Sequence, residues 1–101
     1  MKALSNEEVT GYLASHLENW TLKETALNRD LKFKDFVEAF SFMTAIALEV
    51  EKMDHHPDWT NSYNKLSISL STHSANGITQ RDFDLADKID QLYKKYEKPN
   101  P

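Results

Sequence analysis

The chain has 101 residues and a formal net charge of −4, with 28% charged and 40% hydrophobic residues. This balance is typical of a globular protein and excludes an intrinsically disordered chain. Acidic and basic residues are intermingled, so no basic patch is available for a phosphate backbone, and a nucleic-acid-binding protein is not expected.

Length and composition also limit the organisation of the protein. A chain of this size predicts one domain, residues 1–101. It contains no cysteine, which suits a reducing compartment. The longest uncharged stretch, residues 39–48, is too short to cross a bilayer, and the N-terminus lacks the apolar core of a signal peptide. We therefore expect a cytoplasmic protein without a membrane partner.

The first third of the chain predicts a helix followed by two strands. Ser5 and Glu8 form a capping box, which opens a helix over residues 6–17. Residues 19–25 and 26–34 have the composition and alternation of two short strands.

A second, longer helix is predicted from Asp35. Apolar residues at a 4-3-4-3 spacing predict its core-facing stripe: Phe36, Phe40, Met43, Ala47 and Val50. Other apolar residues lie off this stripe and need burial of their own: Phe42, Ile46 and Leu48. Pro57 disfavours helical geometry at His56, so the helix should end near the histidine pair His55-His56.

Two more strands follow, over residues 59–64 and 65–73. The second alternates most clearly, with Leu66, Ile68 and Leu70 on one face and Ser67, Ser69, Ser71 and His73 on the other. Serines are too small to cover a sheet, so we expect their face to be a solvent-lined concavity or a subunit contact. By this alternation, His73 belongs to the open polar face.

A third helix is predicted after the loop at Asn76-Gly77, with Thr79 as its N-cap. Its apolar stripe is Leu85, Ile89, Leu92 and Tyr96, and the tail KPNP should fray. The order α-β-β-α-β-β-α, with short strands, predicts the α+β class: a four-stranded antiparallel sheet with helices on one face.

Histidine is the side chain whose unperturbed pKa lies nearest neutrality, so clustered histidines are candidates for proton transfer. Three of the four histidines are such candidates: His55, His56 and His73. Glu51 lies one helical turn before His55, close enough to accept a hydrogen bond from its ring. Asp82 falls in the first turn of the last helix. Trp59 and Tyr63 are predicted on one face of a strand, where they would supply a flat wall.

The spacing of these residues resembles a known signature. Glu51, His55-His56-Pro57, Tyr63, His73 and Asp82 are separated by three, five, nine and eight residues. This pattern, with the segments HHPDW, YNKLSISLSTH and GITQRD, is similar to that of the pterin-4a-carbinolamine dehydratases. The likeness extends over nearly the whole chain.

The resemblance implies both a fold and a reaction. Family members have a four-stranded antiparallel sheet with three helices on one side. They dehydrate 4a-hydroxytetrahydropterin (4a-hydroxytetrahydrobiopterin), the by-product of aromatic amino acid hydroxylases, to quinonoid dihydropterin and water. No metal or organic cofactor takes part. A hydro-lyase with a small pterin substrate is therefore expected.

The resemblance also implies roles for individual residues. His55 and His73 would act as general acids, and His56 would bind the pterin and assist as base. Glu51 would orient His55, and Asp82 would orient His73. The residues implied in substrate binding are His56, Pro57, Trp59, Thr72 and His73.

Simpler interpretations remain open for several of these residues. Asp82 completes a capping box with Thr79 whether or not it serves catalysis. Glu51 is also explained as a solvated helix charge. Glu51, His55 and His73 together would make a three-ligand zinc site, although adjacent histidines rarely point at one ion.

The partners are a further open question. The apolar second helix and the sheet edges predict a homo-oligomer, a dimer or a dimer of dimers. Some animal relatives double as dimerisation cofactors of a transcription factor, which leaves a binding module as the alternative to an enzyme. The residues of the signature would recognise the ring that all pterins share. They therefore do not distinguish an enzyme of hydroxylase recycling from one of molybdopterin metabolism.

Overall fold

A computed structural model of the chain describes residues 2–97. Within them, three helices and four strands follow the predicted order, so the α+β class is confirmed. The helices are α1 (Asn6–His16), α2 (Phe36–Met53) and α3 (Gln80–Tyr93). The strands are β1 (Thr21–Lys23), β2 (Ala26–Lys32), β3 (Asp58–Ser62) and β4 (Lys65–Leu70). The tail KPNP, expected to fray, lies outside the described residues.

The four strands form one antiparallel sheet in the order β1-β2-β4-β3. One face is mostly apolar because alternate residues of the two central strands point the same way. Arg29 is the charged, partly buried exception on this face, and the others are buried: Leu27, Leu31, Leu66, Ile68 and Leu70. The helices cover this face with their own buried side chains, which include Leu13, Phe42, Ile46, Leu85 and Ile89. The alternation predicted for β4 is confirmed from Leu66 to Leu70.

The N-terminal cap of α1 is the predicted capping box. The Glu8 amide donates to Ser5 Oγ at 3.1 Å, and the Ser5 amide donates to Glu8 Oε1 at 2.9 Å. The hydrogen bond from the Ser5 backbone and, second, one from the Ser5 side chain lower the pKa of the Glu8 carboxyl. The cap is local in sequence, and for that reason the sequence alone was enough to find it.

The core-facing stripe of α2 differs from the prediction. The buried residues are Ala39, Phe42, Ile46 and Val50, of which Val50 was predicted. Met43 packs partly against the core as expected, whereas Phe36 and Phe40 are exposed. At about 100° per residue, the buried stripe is rotated by roughly 70° from the predicted one. The helix is apolar around most of its circumference, so periodicity did not decide which stripe faces the sheet. Among residues 2–97, neither this helix nor another is long and apolar enough to cross a bilayer.

The path of the chain after β4 also corrects the prediction. The strand ends at Leu70, and His73 begins a 3₁₀ turn, His73–Ala75, rather than continuing the strand. An antiparallel bridge between Thr72 and Gly77 closes this turn, with the Thr72 amide donating to the Gly77 carbonyl at 2.8 Å. A Cβ at Gly77 would meet Ala3 Cβ at 2.9 Å, so this close approach requires glycine. His73 is therefore exposed because of the turn, not because of strand alternation.

Candidate active site

The end of α2 presents the histidine pair. Asp54, the C-cap, adopts the left-handed conformation with φ 52° and ψ 44°, which turns the chain out of the helix. Pro57 follows two residues after His55 and prevents the helix from continuing. The prediction that α2 ends near the histidine pair is confirmed, and the reversal at Asp54 sends His55 and His56 in different directions.

His55 turns inward and meets Asp82. His55 is 7% exposed and Asp82 is fully buried, with His55 Nε2 at 2.6 Å from Asp82 Oδ1. The other carboxylate oxygen accepts from the Thr79 amide at 2.9 Å and from Thr72 Oγ1 at 2.8 Å. Asp82 is thus both the capping residue of α3 and the partner of a histidine. Three donors hold this carboxylate in one orientation.

The direction of each hydrogen bond follows from the number of protons available. Thr72 has one hydroxyl proton, which it donates to Asp82, so the 2.8 Å contact between the two threonine hydroxyls must be donated by Thr79. An ionised Asp82 only accepts, so His55 carries a proton on Nε2. This tautomer is inferred from the network of hydrogen bonds.

The second ring nitrogen of His55, Nδ1, is the one available for proton transfer. Nδ1 forms no hydrogen bond with the residues that the structure describes, and among them no side-chain nitrogen or oxygen is both unpaired and fully buried. Nδ1 therefore reaches solvent, and His55 lines a cleft. A histidine with one nitrogen on a buried carboxylate and the other facing a cleft is arranged to exchange a proton there.

His56 and His73 lie at the solvent side of the same cleft. His56 Nε2 is 3.1 Å from Glu51 Oε1, and both side chains are more than half exposed. His73 is the most exposed of the three, at 82%, and its Nε2 lies 4.0 Å from Asp58 Oδ2. Their ion pairs are therefore weak by comparison with the buried pair of His55 and Asp82.

The carboxylate partners differ from those expected. Glu51 was expected to orient His55 and instead contacts His56, and Asp82 was expected to orient His73 and instead holds His55. The first expectation needed a helix that continued through His55, but α2 ends at Met53. The second assumed that sequence proximity between His73 and Asp82 brings them together. The intervening 3₁₀ turn directs His73 outward.

The cleft has a volume of about 340 Å³, within the range of small-ligand sites. Its lining comes from three segments: the end of α2 with the start of β3, the turn after β4, and the first turn of α3. The lining residues are Asp54, His55, His56, Pro57, Asp58, Ser71, Thr72, His73, Ser74 and Arg81.

Trp59 and Tyr63 do not share a face. Trp59 lies opposite Ile68 in the sheet and packs against the core. Tyr63 lies in the turn after β3 with φ 53°, and it is 63% exposed. The predicted wall of two aromatic rings is therefore not formed by this chain. Trp59 follows Asp58 of the cleft but does not line the cleft itself, and its contact with a substrate stays a prediction.

The side chains proposed for a zinc site do not converge. Nε2 of His55 faces Asp82, while Glu51 contacts His56 on the solvent side. In the part of the chain that the structure describes, no three His, Asp or Glu residues are grouped so that they hold a metal ion.

Comparison with known proteins identifies the family of the chain. The sequence model of the family described as Pterin 4 alpha carbinolamine dehydratase matches residues 2–92. The chain belongs to this family. A relative from Solibacter usitatus that carries the family's name is 49% identical over 89 residues, covering 88% of this chain and 93% of the relative. Another, from Rhodospirillum rubrum, is 52% identical over 82 residues, covering 79% of this chain and 84% of the relative.

A solved structure agrees with this assignment. A transcriptional coactivator/pterin dehydratase from Brucella melitensis is 41% identical, with a TM-score of 0.86 over 90% of this chain and 98% of that one. A pterin dehydratase-like RuBisCO assembly factor of the alpha-carboxysome has a TM-score of 0.61 over 72% of this chain and 84% of that one. Its identity is 19%, so it shows the fold alone. The resemblance carried by the spaced histidines is confirmed.

Three charged residues of the dehydratase cleft were missed from the sequence: Asp54, Asp58 and Arg81. No local pattern marked Asp58, which reaches the cleft only because β3 starts beside the turn after β4. Arg81 did carry a signal. It lies in the first turn of α3, where the helix dipole disfavours a cation, and such a placement indicates a compensating contact.

Proposed function

We propose that this dehydratase removes water from 4a-hydroxytetrahydrobiopterin (pterin-4a-carbinolamine) and releases quinonoid dihydropterin, so that the pterin cofactor of aromatic amino acid hydroxylases is recycled. The observation that carries the proposal is the set of three imidazoles around one cleft, with His55 held by the buried Asp82. The proposed enzyme works as a single domain, residues 1–101, in the cytoplasm, and it uses no cofactor.

The reaction needs two proton movements at a flat bicyclic ring. The C4a–O bond breaks, and the departing hydroxyl takes a proton and leaves as water. The lone pair of the neighbouring ring nitrogen forms the new carbon–nitrogen double bond, and one ring nitrogen loses a proton. Each positioned acid or base contributes roughly 10²–10⁴-fold to such a step.

His55 is the proposed acid at the inner wall of the cleft. Its Nε2–H donates to Asp82, so the proton that it delivers is the one on Nδ1. The carboxylate stabilises the imidazolium before transfer and keeps the ring in place afterwards. Thr72, proposed from the sequence to touch the substrate, has its hydroxyl committed to Asp82 and Thr79. Its support of Asp82 is therefore a second proposed contribution.

His73 and His56 are the proposed groups at the open side of the cleft. His73 is a second acid that approaches the hydroxyl from the turn after β4. His56 binds the pterin ring together with Pro57 and assists as base. Glu51 Oε1, 3.1 Å from His56 Nε2, accepts a hydrogen bond from the imidazole. Because His56 and His73 are exposed, a substrate ring reaches both without displacing buried side chains.

Replacement of single histidines tests the proposal. We expect His73→Ala and His55→Gln each to lower turnover about tenfold to a thousandfold, because each removes one acid–base group. His73 is exposed, so its loss should change the free energy of unfolding by less than about 1 kcal/mol. The His55→Gln side chain retains an N–H donor for Asp82, whereas alanine would leave that buried carboxylate without its ring partner. A coupled hydroxylase assay and thermal unfolding on the same preparations measure both effects.

The matched control is His16→Ala, an exposed histidine on α1 outside the cleft. Its turnover should equal that of the wild type. A wild-type rate equal to the spontaneous rate, at micromolar folded protein, would refute the dehydratase activity. A His73→Ala variant that melts many degrees lower and keeps full turnover would refute the assignment of His73.

We also propose a homo-oligomer, built on the exposed face of α2. Four large apolar residues lie on one side of this helix and are 45–70% exposed: Phe36, Val37, Phe40 and Leu48. The rings of Phe36 and Phe40 contact each other, with centroids 5.6 Å apart. An apolar surface of this kind indicates a protein contact. Phe42 and Ile46, previously expected to need such burial, lie in the chain's own core.

A charge on the α2 face should break the oligomer. We expect Phe40→Glu to shift the mass measured by light scattering towards the 11.7 kDa of one chain, because a carboxylate would be buried against apolar side chains. Tyr63→Glu is the control, since it also replaces an exposed aromatic ring with a carboxylate but lies in the β3–β4 turn. A wild-type protein that is monomeric even at millimolar concentration would contradict the proposal.

A further inference from the structure

Arg81 lies beside Asp82 and reaches back across the cleft to the end of α2. Its Nη2 donates to the carbonyl oxygen of Met53 at 3.1 Å and to that of Asp54 at 2.5 Å. Both acceptors belong to the turn that presents His55, and the Asp54 carbonyl is part of the peptide bond that joins Asp54 to His55. One guanidinium nitrogen therefore holds two successive peptide groups immediately before the histidine.

These two carbonyls have a particular need for a donor. In a continuing helix, the Met53 carbonyl would accept from the amide of residue 57, but that residue is proline and has no N–H. The chain leaves the helix at Asp54, so the Asp54 carbonyl also lacks a helical donor. Arg81 supplies both hydrogen bonds. The negative end of the α2 dipole also offsets the unfavourable position of a cation in the first turn of α3.

Arg81 and Asp82 thus hold the same histidine at two points. Asp82 fixes the imidazole through Nε2 at 2.6 Å, and Arg81 fixes the peptide that precedes its Cα. A ring held at one nitrogen alone can still pivot about that hydrogen bond, whereas restraint of the backbone removes this freedom. The direction of Nδ1 into the cleft depends on both restraints.

We propose that Arg81 is a positioning residue for the dehydration, acting through the backbone of the α2 C-terminal turn on the direction of His55 Nδ1. This inference rests on the proposed function. Arg81 does not transfer a proton itself, because a guanidinium stays protonated in proteins. Arg81 acts by orienting the acid, His55. Displacement of a catalytic group by about 1 Å can lower the rate on the order of a hundredfold.

The test compares Arg81→Met, which keeps the length and removes the donors, with Arg81→Lys, which keeps a donor and the charge. We expect Arg81→Met to lower kcat about tenfold to a hundredfold, with KM within about twofold of the wild type. Arg81→Lys should recover part of the loss. Added guanidinium should restore part of kcat in Arg81→Ala. The control is Lys88→Met, which removes another α3 cation facing α2, 3.8 Å from Glu49, and should leave kcat unchanged.

A measurement without substrate separates this inference from the proposed function. In the wild type, ¹⁵N chemical shifts of the His55 ring should show a single tautomer protonated at Nε2. In Arg81→Met, they should move towards values averaged over two ring environments, and the Lys88→Met spectrum should match the wild type. Unchanged His55 shifts and unchanged kcat would overturn the positioning role. A raised KM with unchanged kcat would also overturn it, because Arg81 would then bind the substrate directly.

If Arg81→Met does not fold, Arg81→Lys and the guanidinium rescue of Arg81→Ala decide the matter. A folded Arg81→Lys variant with restored His55 shifts supports the positioning role. If the variants differ in stability but share the wild-type His55 spectrum, the role of Arg81 is structural only and the proposal is overturned. If the wild type shows no dehydratase activity, the spectra still show whether Arg81 orients His55.

Discussion

Asp82→Asn is expected to lower turnover on the order of a thousandfold while the protein stays folded. The oxygen of the new amide should remain where Thr72 and the Thr79 amide donate, at 2.8 and 2.9 Å. The NH₂ group must then face His55 Nε2. His55 Nε2 then faces a donor instead of an acceptor, so the neutral ring carries its proton on Nδ1. The protonated ring also loses the carboxylate that stabilises it. The dehydratase assay measures the loss of turnover, and ¹⁵N shifts of His55 measure the change of tautomer.

The stability of the same variant separates catalysis from folding. Asp82→Asn keeps a side chain of equal size with an acceptor for two buried donors, so its cost should be well below that of Asp82→Ala. The alanine variant leaves those donors without an acceptor, at about 1–3 kcal/mol for each. Asp84→Asn, an exposed aspartate two residues later on α3, is the control and should match the wild type in both measurements. Wild-type turnover in folded Asp82→Asn would contradict the assignment of His55 as an acid.

Asp90→Ala is expected to give a large loss of stability without a matching loss of turnover. Asp90 Oδ1 accepts from Trp20 Nε1 at 2.9 Å and also pairs with Arg29 of β2, whose side chain is only 10% exposed. The guanidinium of Arg29 also lies over the ring of Tyr93, with 5.1 Å from its central carbon to the ring centroid. Alanine would leave a largely buried cation and an indole N–H unpaired. Because Asp90 is itself 21% exposed, we expect a cost of about 2–4 kcal/mol, measured by urea unfolding.

The comparison with Asp84→Ala shows whether burial is the cause. Asp84 is exposed on the same helix, and its loss should stay within about 0.5 kcal/mol. Turnover per folded molecule should be near the wild-type value in both variants, since neither aspartate lines the cleft. Equal unfolding curves for the two alanine variants would show that the pair of Arg29 and Asp90 does not stabilise the fold.

The order of the elements, the N-terminal caps of α1 and α3 and the end of α2 could be determined from the sequence because their causes are local. Ser5 caps α1 through Glu8, three residues away, and Thr79 caps α3 through Asp82 at the same spacing. The alternation in β4 reports a sheet with one buried face, and Pro57 sets the end of α2. The spaced histidines identified the family for a similar reason, since their order and separation along the chain carry the signature.

Only the tertiary structure decided which faces and side chains meet. The apolar surface of α2 extends around most of the helix, so the choice of Ala39, Phe42, Ile46 and Val50 as the core stripe depends on how the helix lies against the sheet. His55 and Asp82 are 27 residues apart, and their contact exists because the end of α2 and the start of α3 meet at one end of the sheet. Hydrogen bonds of this kind depend on short-range geometry between distant segments, which local periodicity and capping do not encode. For that reason the hydrogen bonds of Arg81 with Met53 and Asp54 across the same gap are seen only in the fold.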